Sequence, residues 1–389
     1  MKIAYVTDGF YPFEKGGDER YYYEVSTRLA KKGHEVHVFC VKWWEGRDDI
    51  TYKGVFLHGV SKYKRLYIGG RRWLPQPLVF GLAILPRIAL GKFDIIDCNL
   101  GPYLYCIPSK IVSWLKKTPL VILWDEVWGD YWYEYMGRFM GFFGKTLEKA
   151  LARFPDMIIT DAYKVRDGLI RLGVPPEKIR VIYDGIDTEA FAKAKPADEE
   201  IDIVFLGRLM PYKNVDVLIK ATKVLTRWFP DIKLGIIGGG SDLPRLKALT
   251  IKLGLKKNVK FYGIVDDFLK VVSILRAAKV FVHLSTQEGS GIVVQEANAA
   301  GLPVVALDHP MGVSKHLIRE GYNGLWVESL DPEMVAEKVR MLLEDEDLLF
   351  KMRKNALEMA KNYSWDKTAE EVEKVYEELL LSRAMHNAT

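Results

Sequence analysis

The sequence has few of the residues that point to disulfide or metal chemistry. Its 389 residues include three cysteines, Cys40, Cys98 and Cys106, and none forms a Cys-x-x-Cys pair. An odd and sparse set of cysteines argues against a disulfide framework, so we predict reduced thiols in the core. The seven histidines show no spacing typical of metal ligands. We therefore predict no metal site.

Long hydrophobic runs are also missing. The longest apolar stretch, Trp73 to Leu90, contains three prolines and an arginine and is short for a membrane span. The N-terminus is interpreted as a strand and not as a signal peptide, because no long apolar segment follows Lys2. These absences lead us to expect a soluble, cytoplasmic protein.

The composition is that of a globular protein with an uneven distribution of charge. Apolar residues make up 49% and charged residues 28% of the chain. Residues 1–183 hold 28 Lys+Arg and 20 Asp+Glu, so the remainder holds 56 − 28 = 28 and 51 − 20 = 31. The first part is basic (+8) and the second slightly acidic (−3). A basic first part would suit phosphate-bearing substrates or an anionic membrane surface.

Short apolar runs alternate with helical patterns along the chain, which predicts α/β domains with doubly wound parallel sheets. The first half shows strand patterns in IAYVTDGF, EVHVFCV, FDIIDC, PLVILW and DMIITD. After a pause at residues 182–196 the alternation restarts with IDIVFLG, IKLGIIG, VKFYGI, VFVHL and PVVAL. We predict two Rossmann-like domains, 1–183 and 184–364, facing across a cleft. A C-terminal helix over 365–389 could cross back to the first domain.

The loops that follow strands are the expected ligand-binding segments, because ligands of such folds bind at the carboxyl ends of the strands. The sequence Glu288-Gly289-Ser290-Gly291 follows one strand and opens a helix. A helix N-terminus offers unpaired N–H groups to a phosphate, and glycines let it approach the backbone. Glu296 lies roughly 12 Å beyond Glu288 at about 1.5 Å per helical residue. This span suits a sugar at one carboxylate, a diphosphate in the backbone cradle and a ribose at the other carboxylate.

Two cations follow another strand. Arg208 comes directly after IDIVFLG, and Lys213 lies five residues later, before the next helix. Departure of a nucleoside diphosphate develops negative charge, which positioned cations stabilise directly. The sequence therefore predicts that these residues bind the diphosphate in place of a metal ion.

The sequence resembles the retaining glycosyltransferases of family four, which have the two-domain GT-B fold. The segments that carry the resemblance are FLGRLMPYKNVDVLIKA, IIGGGSDLPRLKAL, HLSTQEGSGIVVQEANAAGLPVVA, REGYNGLWVE, the Gly16-Gly17 loop and LAKKGHEVHV. The third of them contains the family's Glu-x7-Glu motif as Glu288 and Glu296. The resemblance covers nearly the whole chain.

The resemblance implies a division of roles. The first domain would bind the acceptor and the second a nucleoside diphosphate hexose. Arg208 and Lys213 would bind the diphosphate, with Gly289, Ser290 and Gly291 as its backbone cradle. Glu288 would contact the sugar, and Glu296 the ribose. Two further contacts come from Gly16-Gly17 near the diphosphate and from the backbone near Ile264 at the base. Transfer would retain the anomeric configuration and need neither a metal ion nor a cofactor.

One departure from the family concerns catalysis. The segment WDEVWGDYW is similar to a family motif that begins His-Glu-Val-Trp, and Asp125 stands at the histidine position. In the family that histidine lies near the donor sugar and the reacting centre. An ionised Asp125 could accept hydrogen bonds from hydroxyls but could not donate one. Two alternatives stay open. One is a nucleotide-sugar epimerase, which can share the two-domain architecture, and the other is a non-catalytic subunit that binds sugar nucleotides, which Asp125 makes plausible.

Basic and aromatic residues are concentrated in residues 61–90 and 128–145. A core or interdomain role would explain many of them. The sharper hypothesis is a membrane-facing surface that meets a lipid or glycan acceptor, because such patches favour anionic interfaces. Nucleic acid is not expected as a partner, since no recognition motif is present and the pI is about 8.7.

Overall fold

A computed structural model of the chain describes residues 1–14, 16–62, 67–68, 71–72, 75–101, 103–288, 290–310, 312–313 and 315–388. The chain forms two compact units. Unit 1 comprises residues 1–185 together with 365–389, and unit 2 comprises residues 186–364. The predicted α/β class with parallel sheets is confirmed for both.

The described strands number ten in unit 1 and six in unit 2. Those of unit 1 are β1 (Lys2–Val6), β2 (Glu35–Val41), β3 (Asp49–Tyr52), β4 (Val55–Ser61), β5 (Tyr67–Ile68), β6 (Arg71–Arg72), β7 (Ile95–Asn99), β8 (Leu120–Leu123), β9 (Met157–Thr160) and β10 (Ile179–Val181). Those of unit 2 are β11 (Ile201–Leu206), β12 (Leu234–Ile237), β13 (Val259–Gly263), β14 (Ala278–His283), β15 (Val304–Leu307) and β16 (Gly324–Val327).

The helices alternate with these strands, and the last one returns to unit 1. They are α1 (Gly17–Lys31), α2 (Pro75–Leu90), α3 (Cys106–Lys116), α4 (Tyr131–Leu151), α5 (Tyr163–Arg171), α6 (Thr188–Lys193), α7 (Val215–Leu225), α8 (Leu243–Lys252), α9 (Phe268–Ala277), α10 (Ile292–Ala299), α11 (Pro332–Glu344), α12 (Glu346–Ala360) and α13 (Trp365–Ala388). Short 3-10 turns lie at Pro176–Lys178, Pro211–Lys213 and Lys361–Tyr363.

The main sheet of unit 1 has the order β10-β9-β8-β7-β1-β2-β4-β3. All neighbouring strands are parallel except β3 and β4, which form an antiparallel edge. Both faces of the sheet are buried. In β8, Leu120 and Ile122 pack into one core with helices α2 to α5, whereas Val121 and Leu123 pack into another with α1 and α13. Burial on both faces explains why the parallel strands are continuous apolar runs.

The sheet of unit 2 has six parallel strands in the order β13-β12-β11-β14-β15-β16. Its core combines the sheet with α7, α8, α11 and α12. The strand order reverses beside β11, whose neighbours are β12 and β14. Ligands of open α/β sheets bind outside the carboxyl ends of the strands at such a reversal. In this unit the loops after β11 and β14 occupy that place.

Several elements differ from the sequence-based expectations or were not anticipated. Each apolar run for which the sequence predicts a strand contains one. The sequence does not predict the edge strands β3 and β10, the inner strand β4, the short pair β5 and β6, or the last strand β16. The long apolar run becomes α2, with Pro86 inside the helix, and its first two residues lie outside the described part. Where the chain is described, no helix is both long and apolar enough to span a membrane. The three cysteines are buried and form no disulfide bond.

Candidate functional site

The loops after β11 and β14 are held together by hydrogen bonds. The Thr286 amide donates to the Tyr212 carbonyl at 3.0 Å. The Asn214 side-chain amide donates to the Leu284 carbonyl at 2.8 Å. Asn214 adopts a left-handed conformation, with φ of 53°, which asparagine tolerates better than most residues. These contacts bring the end of the first loop against the start of the second.

These contacts bring the side chains of Lys213 and Glu288 into contact. The Lys213 ammonium donates to Glu288 Oε1. The same oxygen lies 2.5 Å from Nε2 of His283. The side chains of Lys213 and Glu288 are each 10% exposed, and that of His283 is 1% exposed. Two residues that the sequence predicts in one site are therefore in contact, within unit 2 alone.

The electrostatic balance of this cluster keeps Glu288 ionised. Burial acts to raise the pKa of the Glu288 carboxyl, but the His283 hydrogen bond and the charges of His283 and Lys213 outweigh it and lower that pKa to about 2. Nearby cations and hydrogen-bond donors favour the charged form of a carboxyl group in this way. Glu288 is thus a fixed acceptor for hydroxyl groups at neutral pH.

His283 is a site residue that the sequence analysis missed. It is the last residue of β14, and its ring stacks with the ring of Phe281, with the ring centroids 6.0 Å apart. Its Nδ1 is buried without a hydrogen-bond partner in the described part of the chain. A polar residue closing an apolar strand five positions before Glu288 was the available signal.

The second loop ends at the N-terminus of α10. Gly291 precedes the helix with φ of 75°, and a Cβ there would lie 2.9 Å from Leu317 Cδ1 and 3.0 Å from Val313 Cγ2. Both conformation and space therefore require glycine. Ser290 lies beside it, whereas Gly289 is outside the described residues. The first turn of α10 contains no acidic residue, so its N–H groups can face an anion.

Glu296 lies within α10, beyond the first turn. Burial raises the pKa of its carboxyl to about 7. This shift is opposite to that of Glu288, because no cation offsets the loss of solvation. The two carboxylates of the Glu-x7-Glu motif therefore differ in electrostatic environment. Glu288 is ionised at every physiological pH, whereas Glu296 changes its protonation state near neutrality.

Arg208 and Ile264 lie at the same edge of the unit 2 sheet. Arg208 is exposed in the loop after β11. Ile264 follows β13 and is 76% exposed. A Cβ on Gly239, in the loop after β12, would lie 2.8 Å from Ile264 Cγ1. The structure thus places Ile264 against the glycine loop, and leaves the Arg208 guanidinium open to solvent.

In unit 1, the Gly16-Gly17 pair forms the start of α1. Gly16 is the N-cap residue in extended conformation, without a side-chain cap, and Gly17 is the first helical residue. A Cβ on Gly17 would have no described heavy atom within 4 Å. Packing within the unit therefore does not require glycine at position 17. The predicted role, close approach of a ligand, remains a prediction.

Asp125 belongs to a group of carboxyl residues at the carboxyl edge of the unit 1 sheet. It follows β8, and Asp161 and Asp184 follow β9 and β10. Burial, and then the charges of nearby carboxylates, raise the pKa of Asp125 well above its ordinary value. Those carboxylates are Asp18, Asp161, Asp184 and Glu126. A raised pKa favours the protonated form, which can donate a hydrogen bond, so the part that Asp125 takes in the site stays a prediction.

The charge state of Asp125 has a testable consequence. A carboxyl whose pKa is raised by folding stabilises the protein at low pH and loses that contribution as the pH rises through its folded-state pKa. We expect Asp125→Asn to melt above the wild type at pH 8 and at the same temperature at pH 4. The shift should be about 2–4 °C per kcal/mol in a chain of this size. Thermal melts across pH measure it.

The matched control is Asp167→Asn, which alters an exposed carboxylate on α5 of the same unit. It should leave the melting curve unchanged at both pH values. An Asp125→Asn protein that melts below the wild type at pH 8 would show that the ionised carboxylate stabilises the fold.

In the described ranges, no group of three or more His, Cys, Asp or Glu side chains is arranged to hold a metal ion. The carboxyl groups around Asp125 therefore do not form such a set.

Two families of known proteins match the two parts of the chain. The family described as Glycosyltransferase Family 4 matches residues 15–190, and that described as Glycosyl transferases group 1 matches residues 186–362. A D-inositol 3-phosphate glycosyltransferase of Acidothermus cellulolyticus is 31% identical over 95% of this chain and 87% of that protein. An uncharacterized glycosyltransferase of Methanocaldococcus jannaschii is 32% identical over 90% of this chain and 92% of that protein.

Solved structures share the fold over the whole length. Sucrose-phosphate synthase of Thermosynechococcus elongatus superposes with a TM-score of 0.74 at 20% identity, covering 98% of this chain and 99% of its own. HepE of Anabaena, solved in complex with UDP, gives 0.73 at 18% identity, covering 97% of this chain and 100% of its own. These likenesses show the two-domain GT-B fold.

Proposed function

Because the chain belongs to the glycosyltransferases of the family 4 type, we propose that it transfers a hexose from a nucleoside diphosphate sugar to an acceptor with retention of anomeric configuration. The reaction uses no bound metal ion. The bond between the anomeric carbon and the diphosphate oxygen breaks, and its electron pair leaves with the nucleoside diphosphate. A hydroxyl of the acceptor forms the new bond on the same face of the sugar and releases its proton.

The observation that carries this proposal is the contact of Lys213 and His283 with one oxygen of Glu288. In this contact a cation and a carboxylate that is ionised at neutral pH lie side by side at the strand-order reversal of unit 2. A donor sugar with its diphosphate needs this pair: hydroxyl groups bind to a carboxylate, and phosphate oxygens bind to a cation. Positioned cations are most effective where negative charge develops on the leaving group.

We assign the remaining donor contacts to further residues of unit 2, in the roles that the family resemblance implies. Arg208, exposed in the same loop as Lys213, binds the diphosphate from a second side. The N–H groups at Ser290 and Gly291 cradle it at the start of α10. Glu296 accepts hydrogen bonds from the ribose. Ile264, at the edge of the glycine loop, lies under the base.

The acceptor side is assigned to unit 1. The roles of Gly16, Gly17 and Asp125 in unit 1 are those that the family resemblance implies. The acceptor is a glycan, a lipid or a small molecule. We propose that unit 1 meets it at a membrane surface.

A direct test combines donor screening with product analysis. Donors are first ranked by thermal shift, since a ligand that binds only the folded state raises the apparent stability. The best donor is then incubated with and without candidate acceptors, and NMR coupling constants define the anomeric configuration of the product. We expect a product with the anomeric configuration of the donor.

Other outcomes separate the alternatives. Inversion would contradict the proposed stereochemistry. An isomerised sugar nucleotide formed without acceptor would identify an epimerase. Donor binding without transfer or hydrolysis, restored only by a partner chain, would identify a non-catalytic subunit.

A further inference from the structure

Helices α2, α3 and α4 form one layer of unit 1. Their inner faces contribute to a single hydrophobic core on the same side of the sheet, through Phe80, Val112 and Leu151 among others. The α3 side is tied to the end of α4, because the Lys110 ammonium donates to the Phe154 carbonyl at 2.5 Å. The outer faces of these helices therefore belong to one side of the unit.

That outer side exposes large apolar side chains. They include Leu82 (75%), Trp114 (74%), Leu115 (64%), Phe139 (75%), Phe142 (57%) and Phe143 (53%). Single exposed apolar residues are ordinary on protein surfaces, but groups of aromatic residues on one element mark interaction sites. Three phenylalanines within five residues form such a group.

The local backbone of α4 explains why these rings point outward. Gly137 breaks the helical conformation with φ of 77°, so the helix restarts after it. A Cβ on Gly141 would lie 2.7 Å from the Trp132 carbonyl oxygen, and one on Gly144 would lie 2.4 Å from the Trp132 ring. The glycine side of the restarted helix thus packs tightly against Trp132. The phenylalanines occupy the opposite, exposed side.

The charge of this layer has one dominant sign. Across α2, α3 with the following Lys117, and α4, the sequence has 1 + 3 + 3 = 7 Lys+Arg and only two carboxylates, Glu134 and Glu148. Glu148 is buried and accepts hydrogen bonds from the Trp128 and Gly129 amides at 2.8 and 2.9 Å. Two of the cations form ion pairs, Lys145 with Asp130 and Arg87 with Asp49. The three helices together still carry an excess of positive charge.

We propose that unit 1 docks on an anionic lipid bilayer through the outer face of α2, α3 and α4, with the phenylalanines of α4 and Trp114 of α3 inserted at the interface. Aromatic rings partition into the headgroup boundary, and each nearby Lys or Arg is attracted by the negative surface potential. A second copy of the chain is disfavoured as the occupant, because two such cationic faces would repel each other. The proposal deepens the membrane part of the proposed function and stands without the donor chemistry of unit 2.

The structure also changes which residues carry the membrane hypothesis. Of the basic and aromatic stretch 61–90, the positions 63–66, 69–70 and 73–74 lie outside the described residues, and the remainder includes α2. Trp114 and Leu115, in a helix that the sequence hypothesis did not include, belong to the docking face. The stretch 128–145 divides into a buried part around Trp132 and the exposed phenylalanines.

The test uses the full chain and flotation with two kinds of vesicle. One contains phosphatidylcholine alone, and the other includes about 30% phosphatidylglycerol to give a negative surface potential. We expect binding to the anionic vesicles that weakens with added salt. Phe142→Ser and Phe143→Ser should each weaken it about tenfold, the equivalent of one buried aromatic side chain. Brominated phosphatidylcholine in these vesicles should quench tryptophan fluorescence, and Trp114→Phe should reduce the quenching.

Phe350→Ser is the matched control, because Phe350 is 72% exposed on α12 of unit 2. It should bind vesicles as the wild type does. All substitutions lie on exposed positions, so each variant should melt at the temperature of the wild type. Weaker binding at an unchanged melting temperature then reports a loss of the docking surface and not of folding. Equal binding to neutral vesicles, no binding, or binding unaffected by the α4 substitutions would overturn the proposal. A dimer in light scattering that Phe142→Ser dissociates would also overturn it, in favour of a contact between copies. Donor binding in the absence of vesicles tests the proposed transfer independently.

Discussion

Replacing Lys213 with alanine is expected to lower the turnover of sugar transfer by about 10²–10³-fold, the usual cost of removing one positioned group that stabilises developing charge. The Lys213 side chain is 10% exposed and its ammonium is held by Glu288, so water cannot replace it without reorganisation. Donor affinity should fall less than turnover, because the charge on the diphosphate grows as the sugar leaves. Steady-state kinetics with the screened donor separate the two quantities.

Folding must be followed in the same variant. Removing one partner of a buried pair leaves the other charge uncompensated and typically costs about 3–5 kcal/mol. The double variant Lys213→Ala/Glu288→Ala removes both charges and should recover part of the stability, but none of the activity. Lys220→Ala is the matched control, because Lys220 pairs with Asp216 on the surface of the same unit. Wild-type turnover in Lys213→Ala would contradict the proposed role.

The sequence predicts those parts of the candidate site that lie close together along one strand-loop-helix segment. The apolar runs predict β11 and β14, and the glycines and charges after them predict the two loops. Contact between Lys213 and Glu288, 75 residues apart, follows only when β11 and β14 are neighbours in the sheet. The pattern of alternating elements indicates a parallel sheet but does not give the order of its strands.

Features that depend on contacts between distant parts of the chain could not be predicted from the sequence. The place of His283 at the end of an apolar strand is a local signal, but its contact with Glu288 follows only from the fold. The raised pKa of Asp125 comes from burial and from carboxylates that follow other strands, which the local motif does not reveal. The exposed side of α4 likewise depends on Gly141 and Gly144 packing against Trp132. In each case tertiary neighbours, and not local propensity, determine the chemistry.

Glu288→Gln is expected to reduce turnover by about 10²–10³-fold while keeping the shape of the side chain and an oxygen that accepts from Lys213 and His283. The amide lacks the negative charge that holds donor hydroxyls and balances Lys213. The stability of the variant has a pH signature of its own. Folding lowers the pKa of the Glu288 carboxyl from its ordinary value near 4.5 to about 2, so the ionised group stabilises the fold above pH 4.5. That contribution, about 3 kcal/mol at most, is lost as the pH falls from 4.5 towards 2.

The wild type should therefore melt above Glu288→Gln at pH 7, and the difference should shrink below pH 4.5. Glu333→Gln provides the control, since Glu333 forms an exposed pair with Arg227 in the same unit and should change neither turnover nor the pH dependence. If Glu288→Gln lost stability as predicted but kept wild-type turnover, the cluster of Lys213, Glu288 and His283 would be a structural element. If Glu288→Gln lost both stability and turnover while donor binding stayed measurable, the carboxylate would be assigned to the sugar. Its charge would then be needed for transfer in the folded protein.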